Sequence, residues 1–272
     1  MIFTNPSQSR ESTLLVEWGK HSLSFSVFHE QDNRVLHTEV LDLEKELNDY
    51  AIQDFEKLFK ALDIFAFSFE RLICLIDTTL STLVPAPEFD ATNNEALLNF
   101  VHDKPSGNFL YLDEEVLSSD YNLVYAFPSA LKEAMEKHFV NPEFSISQMA
   151  LLNYFAKLSQ LDELFTIHLN DSELSIYYYK ENKLLFFNAF SYISAEDIVY
   201  HVLNVLNSLG LDNERCLVYY SGLLPEDAEN INLLKQYVKF LKPLERTNRI
   251  NYASAVEAMP THYFIQHYAS FL

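Results

Sequence analysis

Leu14 to Phe28 (LLVEWGKHSLSFSVF) and Phe165 to Tyr179 (FTIHLNDSELSIYYY) can be laid over one another without a gap, so that Leu23-Ser24-Phe25 falls on Leu174-Ser175-Ile176. Each segment reads as an apolar strand, a polar turn and a second strand with period-two alternation. A third strand follows each, at Arg34 to Val40 and at Lys183 to Phe190, and a helix follows both units. A meander that opens both halves of a chain in the same way restricts the fold to two related lobes.

The helix after the first unit is expected over Asp42 to Leu62, where Leu43, Leu47, Tyr50, Ala51, Phe55, Leu58, Phe59 and Leu62 recur at helical spacing. Asp42 is its expected N-cap, although Lys45 holds the place a capping box gives to Glu or Gln. After the second unit, Ser194-Ala195-Glu196-Asp197 starts a helix that turns Ile198, Val202, Leu203, Val205, Leu206 and Leu209 inward, and Gly210 ends it. Strands follow both helices, at Leu72 to Ile76 and Leu217 to Tyr220. Further helices are expected over Pro128 to Phe139, Ser147 to Leu158 and His262 to Phe271. Between the halves, Thr82 to Phe127 carries Pro85, Pro87, Pro105 and Gly107, a helix near Asn94 to His102, and strands near Phe109 to Leu112 and Leu123 to Ala126. The implied organisation is a flexible terminus at 1–12, a first lobe at 13–150 with a small inserted subdomain at about 82–127, and a second lobe at 151–272.

Composition narrows the function classes. Nineteen basic against 39 acidic residues give a formal charge of −20, which repels phosphate backbones and anionic headgroups and argues against nucleic acid or membrane partners. The polar first twelve residues lack a signal-peptide core, no apolar run reaches the length of a membrane span, and a cytoplasmic protein is expected. Cys74 and Cys216 each lie in a short apolar run and read as buried thiols. His262 and His267 are five apart and so miss the i, i+4 spacing of a helical metal pair, and no other Cys, His or acid grouping has ligand spacing. Asp113-Glu114-Glu115 and Glu226-Asp227 read as solvated helix starts. Tyr177-Tyr178-Tyr179 with Phe186, Phe187 and Phe190 reads as a sheet buried on both faces. The chain has four glycines, against about 19 at average usage, so Gly19 and Gly222 mark places where a side chain is not tolerated.

A duplicated three-strand meander followed by a helix and a further strand resembles the actin-like ATPase superfamily, a ribonuclease H-like α/β fold of two lobes with mixed sheets flanked by helices. Within it the chain looks most like the pilus-assembly and cell-division actin homologues and an uncharacterised Bacteroides-type group. No cofactor follows from the residues themselves, whereas the resemblance implies ATP and Mg²⁺. In that superfamily a D-x-G-[TS] turn in the first hairpin holds the phosphates; here it reads Glu17-Trp18-Gly19-Lys20, keeping a carboxylate and a glycine but placing Trp18 within and no Ser or Thr after. The second phosphate turn reads His168-Leu169-Asn170-Asp171-Ser172-Glu173, with His in place of the acid, no glycine, and added acids whose charge opposes a triphosphate. The glycine pair under adenosine corresponds to Ser221-Gly222. The resemblance therefore implies a nucleotide site made of Glu17, Gly19, Lys20, Asn170, Asp171, Ser172, Ser221 and Gly222. Its departures point to a degenerate site in a non-catalytic scaffold or assembly partner that binds a protein or itself. The alternative is a working ATPase with Glu17 near Mg²⁺.

Overall fold

The computed structural model describes residues 9–117, 119–158, 163–170 and 172–272. The first repeat forms β1 (Ser12–Trp18), β2 (Ser22–His29) and β3 (Arg34–Asp42), and the second forms β9 (Glu163–Asn170), β10 (Glu173–Lys180) and β11 (Lys183–Ser191). Both are antiparallel meanders whose first strand also pairs in parallel with a later strand, β4 (Arg71–Ile76) in one half and β12 (Leu217–Gly222) in the other. With β8 (Glu143–Ile146), β13 (Phe240–Pro243) and β14 (Asn251–Tyr252), the sheets order as β14-β3-β2-β1-β4-β8 and β11-β10-β9-β12-β13. The repeat extends to the register: Glu17 faces Ser24 across the first hairpin, and His168 faces Ser175 across the second. A third sheet, β5-β7-β6, is built from β5 (Ser81–Pro85), β6 (Phe109–Glu115) and β7 (Tyr121–Pro128).

Alternation along β1 sends Leu14, Val16 and Trp18 into one core, where Trp18 stands edge-on to Phe55 at 5.3 Å and to Phe59 at 6.3 Å. Phe55 and Phe59 are the buried face of α1 (Ile52–Ala61). The helix expected from Asp42 is thus shorter: Asp42 ends β3, Leu47–Asp49 make one 3₁₀ turn, and the helix begins at Ile52. Asp54 sets that start, accepting from the Ala51 N–H at 3.2 Å and from Lys45 Nζ at 2.7 Å, so a carboxylate in the first turn replaces the missing cap.

Helix α2 spans Asn94–Val101, and α3 spans Ser129–His138. Asp113-Glu114-Glu115 lie in strand β6 and do not start a helix; Glu114 faces inward and accepts from Tyr125 Oη and Ser145 Oγ, each at 2.7 Å. Then α4 (Ser147–Leu158) leads toward the second repeat, where α5 (Ala195–Ser208) starts on a Ser194–Asp197 capping box and ends at Gly210, whose φ is +69°. Tyr177 and Tyr179 join one core while Tyr178 joins the other, so β10 is covered on both faces. Short helices α6 (Glu229–Leu234), α7 (Ser254–Glu257) and α8 (Ile265–Ala269) complete the second half. The last helix covers only part of His262 to Phe271 because Phe264, at φ +56°, interrupts the run. Cys74 and Cys216 are buried and free. Among the described residues no helix is long and apolar enough to cross a membrane.

Candidate functional site

Leu15 and Glu17 point to the face of β1 opposite Trp18, toward α4 and α8. Glu17 is only 4% exposed. Its Oε1 accepts from Ser147 Oγ at 2.5 Å, and its Oε2 accepts from Gln266 Nε2 at 2.9 Å, His267 Nε2 at 2.9 Å and Ser24 Oγ at 3.1 Å. The network continues through His267 Nδ1, 2.7 Å from Ser26 Oγ, which lies 3.0 Å from Thr38 Oγ1. Burial pushes the Glu17 carboxyl up, but His267, by hydrogen bond and attraction, together with Ser147 and Gln266, outweighs it and holds the group at about 2. Three donors converge on Oε2 and one on Oε1, so both carboxylate oxygens are engaged inside the protein.

His168, in the equivalent slot of the second repeat, is 3% exposed. Its Nδ1 lies 2.8 Å from Ser221 Oγ, and its Nε2 is buried without a hydrogen-bond partner. Burial pushes this histidine down to about 4. Ser221 also donates to the Ile167 carbonyl at 3.4 Å. The predicted adenosine turn therefore looks inward. Gly222 shows why no side chain fits there: a Cβ would come 1.8 Å from the Leu169 carbonyl oxygen, and φ is +130°. Its N–H donates to the His262 carbonyl at 3.0 Å, which lays the C-terminal segment over it.

Gly19 is buried and donates to Ser22 O at 2.9 Å, closing the first turn; a Cβ there would lie 2.6 Å from Ser22 Oγ. Lys20 is exposed and sits 3.3 Å from Glu46. In the second turn, Asn170 Nδ2 donates to Asp77 Oδ2 at 2.7 Å, and its carbonyl accepts from Tyr192 Oη at 2.5 Å. Asp171 lies outside the described residues. Ser172 accepts the Tyr192 N–H at 3.0 Å. Glu173 accepts the Thr79 N–H at 3.2 Å, so this acid ties the two halves together. Gln148 Nε2 adds bonds to Asp77 at 3.1 Å and to the Thr78 carbonyl at 2.9 Å.

Between the halves lies a cleft of about 760 Å³. Of the eight predicted residues, Lys20 and Ser172 are on its wall, while Glu17, Gly19, Asn170, Ser221 and Gly222 are not. Asp77, Thr78 and Thr79 are on that wall and were missed in the sequence, where the signal was the abrupt polar end of the apolar run Leu72 to Ile76. Gln266 and His267 were also missed as partners of Glu17; their signal was an amide and an imidazole inside an otherwise apolar last helix. Among the described residues no three His, Cys, Asp or Glu side chains gather as a metal site.

This architecture matches solved structures over nearly its full length. A Bacteroides thetaiotaomicron protein described as having an actin-like ATPase fold and unknown function aligns with a TM-score of 0.77 at 19% identity, covering 99% of this chain and 98% of that one. A PilM–PilN type IV pilus biogenesis complex aligns at TM-score 0.58 and 12% identity, covering 91% and 92%. At these identities the likeness establishes the fold, an actin-like ATPase fold. No curated protein sequence matches the chain. A family model matches residues 4–241, and the chain belongs to that family, DUF3822, described as a protein of unknown function.

Proposed function

We propose that this protein is a non-catalytic scaffold or assembly partner, an actin-like fold whose nucleotide site is degenerate. The observation that carries the reading is the Glu17 network. A carboxylate that helps hold hydrated Mg²⁺ needs a lone pair facing the cleft; the Glu17 carboxylate already accepts four internal hydrogen bonds and is 4% exposed. Freeing it leaves the buried Gln266 amide without this acceptor and His267 Nε2 with Ser24 Oγ alone at 3.0 Å, at a cost of about 1–3 kcal/mol for each group left unpaired. The residues present do not fit Mg²⁺ at this position. The second turn adds the same message, because Asn170 and Glu173 are engaged with Asp77 and Thr79 across the cleft.

A protein partner is supported by the pilus complex, whose fold this chain shares, and by two apolar side chains left open to water. Ile193, on the cleft wall, is 99% exposed, and Phe100, shortly before wall residues Asp103 and Lys104, is 90% exposed.

A melting curve recorded with millimolar Mg-ATP tests the reading. A ligand at 100 times its Kd adds about 2.7 kcal/mol to the native state, and the expected result is an unchanged melting temperature. A clear rise that disappears in Glu17→Gln supports instead the working ATPase, with Glu17 near Mg²⁺ and the backbone around Gly19 on phosphate.

A further inference from the structure

A second pocket, of about 840 Å³, lies away from the cleft, where the β2–β3 turn meets the segment between β13 and α8. Arg34 and Arg246 both line it, with Thr247, Asn248, Asn251 and Thr261 supplying neutral hydrogen-bonding groups and Asp32 and Glu257 two acids. The parallel pairing of β14 with β3 sets Arg34 against Asn251, one residue from Tyr252. Arg246 is held firmly: its guanidinium lies 5.2 Å from the centre of the Tyr252 ring, Nη1 donates to the Val256 carbonyl at 2.6 Å, and Nη2 donates to the Met259 carbonyl. Asn33 Nδ2 donates to the Arg249 carbonyl at 2.8 Å, and Tyr252 Oη donates to the Thr247 carbonyl at 2.8 Å, so both rims are fixed.

Acids outnumber bases by 39 to 19, and among the described residues Arg71 pairs with Glu143 and Arg215 with Asp212. Among the described residues Arg34 and Arg246, like Arg249, have no carboxylate oxygen within 4.0 Å, even though Asp32 and Glu257 line the same pocket. Arg34 Nε is also shielded from solvent and has no hydrogen-bond partner. A guanidinium that lines a pocket without a carboxylate partner offers an oxyanion charge-assisted, fork-shaped hydrogen bonds.

We propose that this pocket binds a phosphate group, either free or as the monoester of a small polar molecule, with Arg34 as the main contact, Arg246 as a fixed second cation, and the Thr and Asn side chains around the rest. The site is independent of the cleft and of the scaffold reading. Calorimetric titration at constant ionic strength uses inorganic phosphate, glucose 6-phosphate and, as a control, glucose. The expected result is binding of one or both phosphates at sub-millimolar Kd and none of glucose, with the tighter of the two showing whether the pocket also holds an attached body. Arg34→Gln should weaken binding at least tenfold and Arg34→Lys less, while Lys20→Gln on the cleft wall leaves it unchanged. If Arg34→Gln does not fold, amide NMR of the unmodified protein decides: phosphate should move resonances of Thr247 to Asn251. Absence of binding at millimolar phosphate, retention in Arg34→Gln, loss in Lys20→Gln, or amide shifts confined to the cleft would each overturn the proposal.

Discussion

The two repeats place different side chains in one structural slot. Glu17 and His168 occupy the same position of the same strand, each opposite a serine, Ser24 or Ser175. Glu17 is bonded by four groups drawn from β2, α4 and α8, whereas His168 has Ser221 on one nitrogen and nothing on the other. Duplication thus preserved the backbone and let the chemistry diverge. In the first half the slot became a polar knot that fastens both connecting helices to the sheet; in the second it became a lightly held, neutral filler.

The glycines that follow these slots differ in the same spirit, and substituting them should give the largest and the smallest effects. Gly222→Val places a Cβ on the Leu169 backbone at a φ of +130°, where neither atom can yield, and should destabilise by about 5 kcal/mol or prevent folding in a urea titration. Next, Glu17→Ala removes the acceptor of four donors and should cost about 4 kcal/mol, against about 2 kcal/mol for His168→Ala, which removes one hydrogen bond to Ser221, itself still bonded to the Ile167 carbonyl, and leaves a small cavity. Equal costs in the two variants would erase the contrast between the repeats.

Acidification separates the two slots by pH. His168 is pushed from 6.5 down to about 4 by burial, so as pH falls through 6.5 the unfolded chain takes up the proton first and stability drops, by about 3 kcal/mol at pH 4. Glu17 is held below its ordinary 4.5, at about 2, so its contribution is intact above pH 4.5 and is lost as pH falls toward 2. Denaturation midpoints from pH 7 to pH 3 should show both regions, and His168→Asn should flatten only the upper one. The smallest effect belongs to Gly19→Ala, about 1 kcal/mol, because its new methyl meets the Ser22 hydroxyl at 2.6 Å, a side chain that can turn away.

Much of this was legible in the sequence where periodicity or a local cap decides the outcome. The ungapped overlay of Leu14–Phe28 on Phe165–Tyr179 anticipated the shared register, Ser194 and Gly210 bounded their helix, and the Tyr177–Tyr179 run lies between two cores. What long-range contact decides was hidden. Nothing near Glu17 in sequence announces that its partners are Ser147, Gln266 and His267, and nothing near Glu173 announces Thr79. Asp42 looked like a cap because helical spacing ran through Leu43 and Leu47, yet β3 holds it in the sheet as the register partner of Ser22. Asp113 to Glu115 looked solvated because inward-facing acids need distant donors, which Tyr125 and Ser145 supply to Glu114.

The claim on which the functional reading rests is that the Glu17 carboxylate belongs to the interior and is closed to a metal-bound nucleotide. Its carboxyl ¹³C resonance, followed through a pH titration and then through addition of millimolar Mg-ATP at neutral pH, tests this directly. The account predicts a midpoint near 2 and a resonance that Mg-ATP does not move. A midpoint at its ordinary 4.5, or a shift that tracks added Mg-ATP, would contradict it.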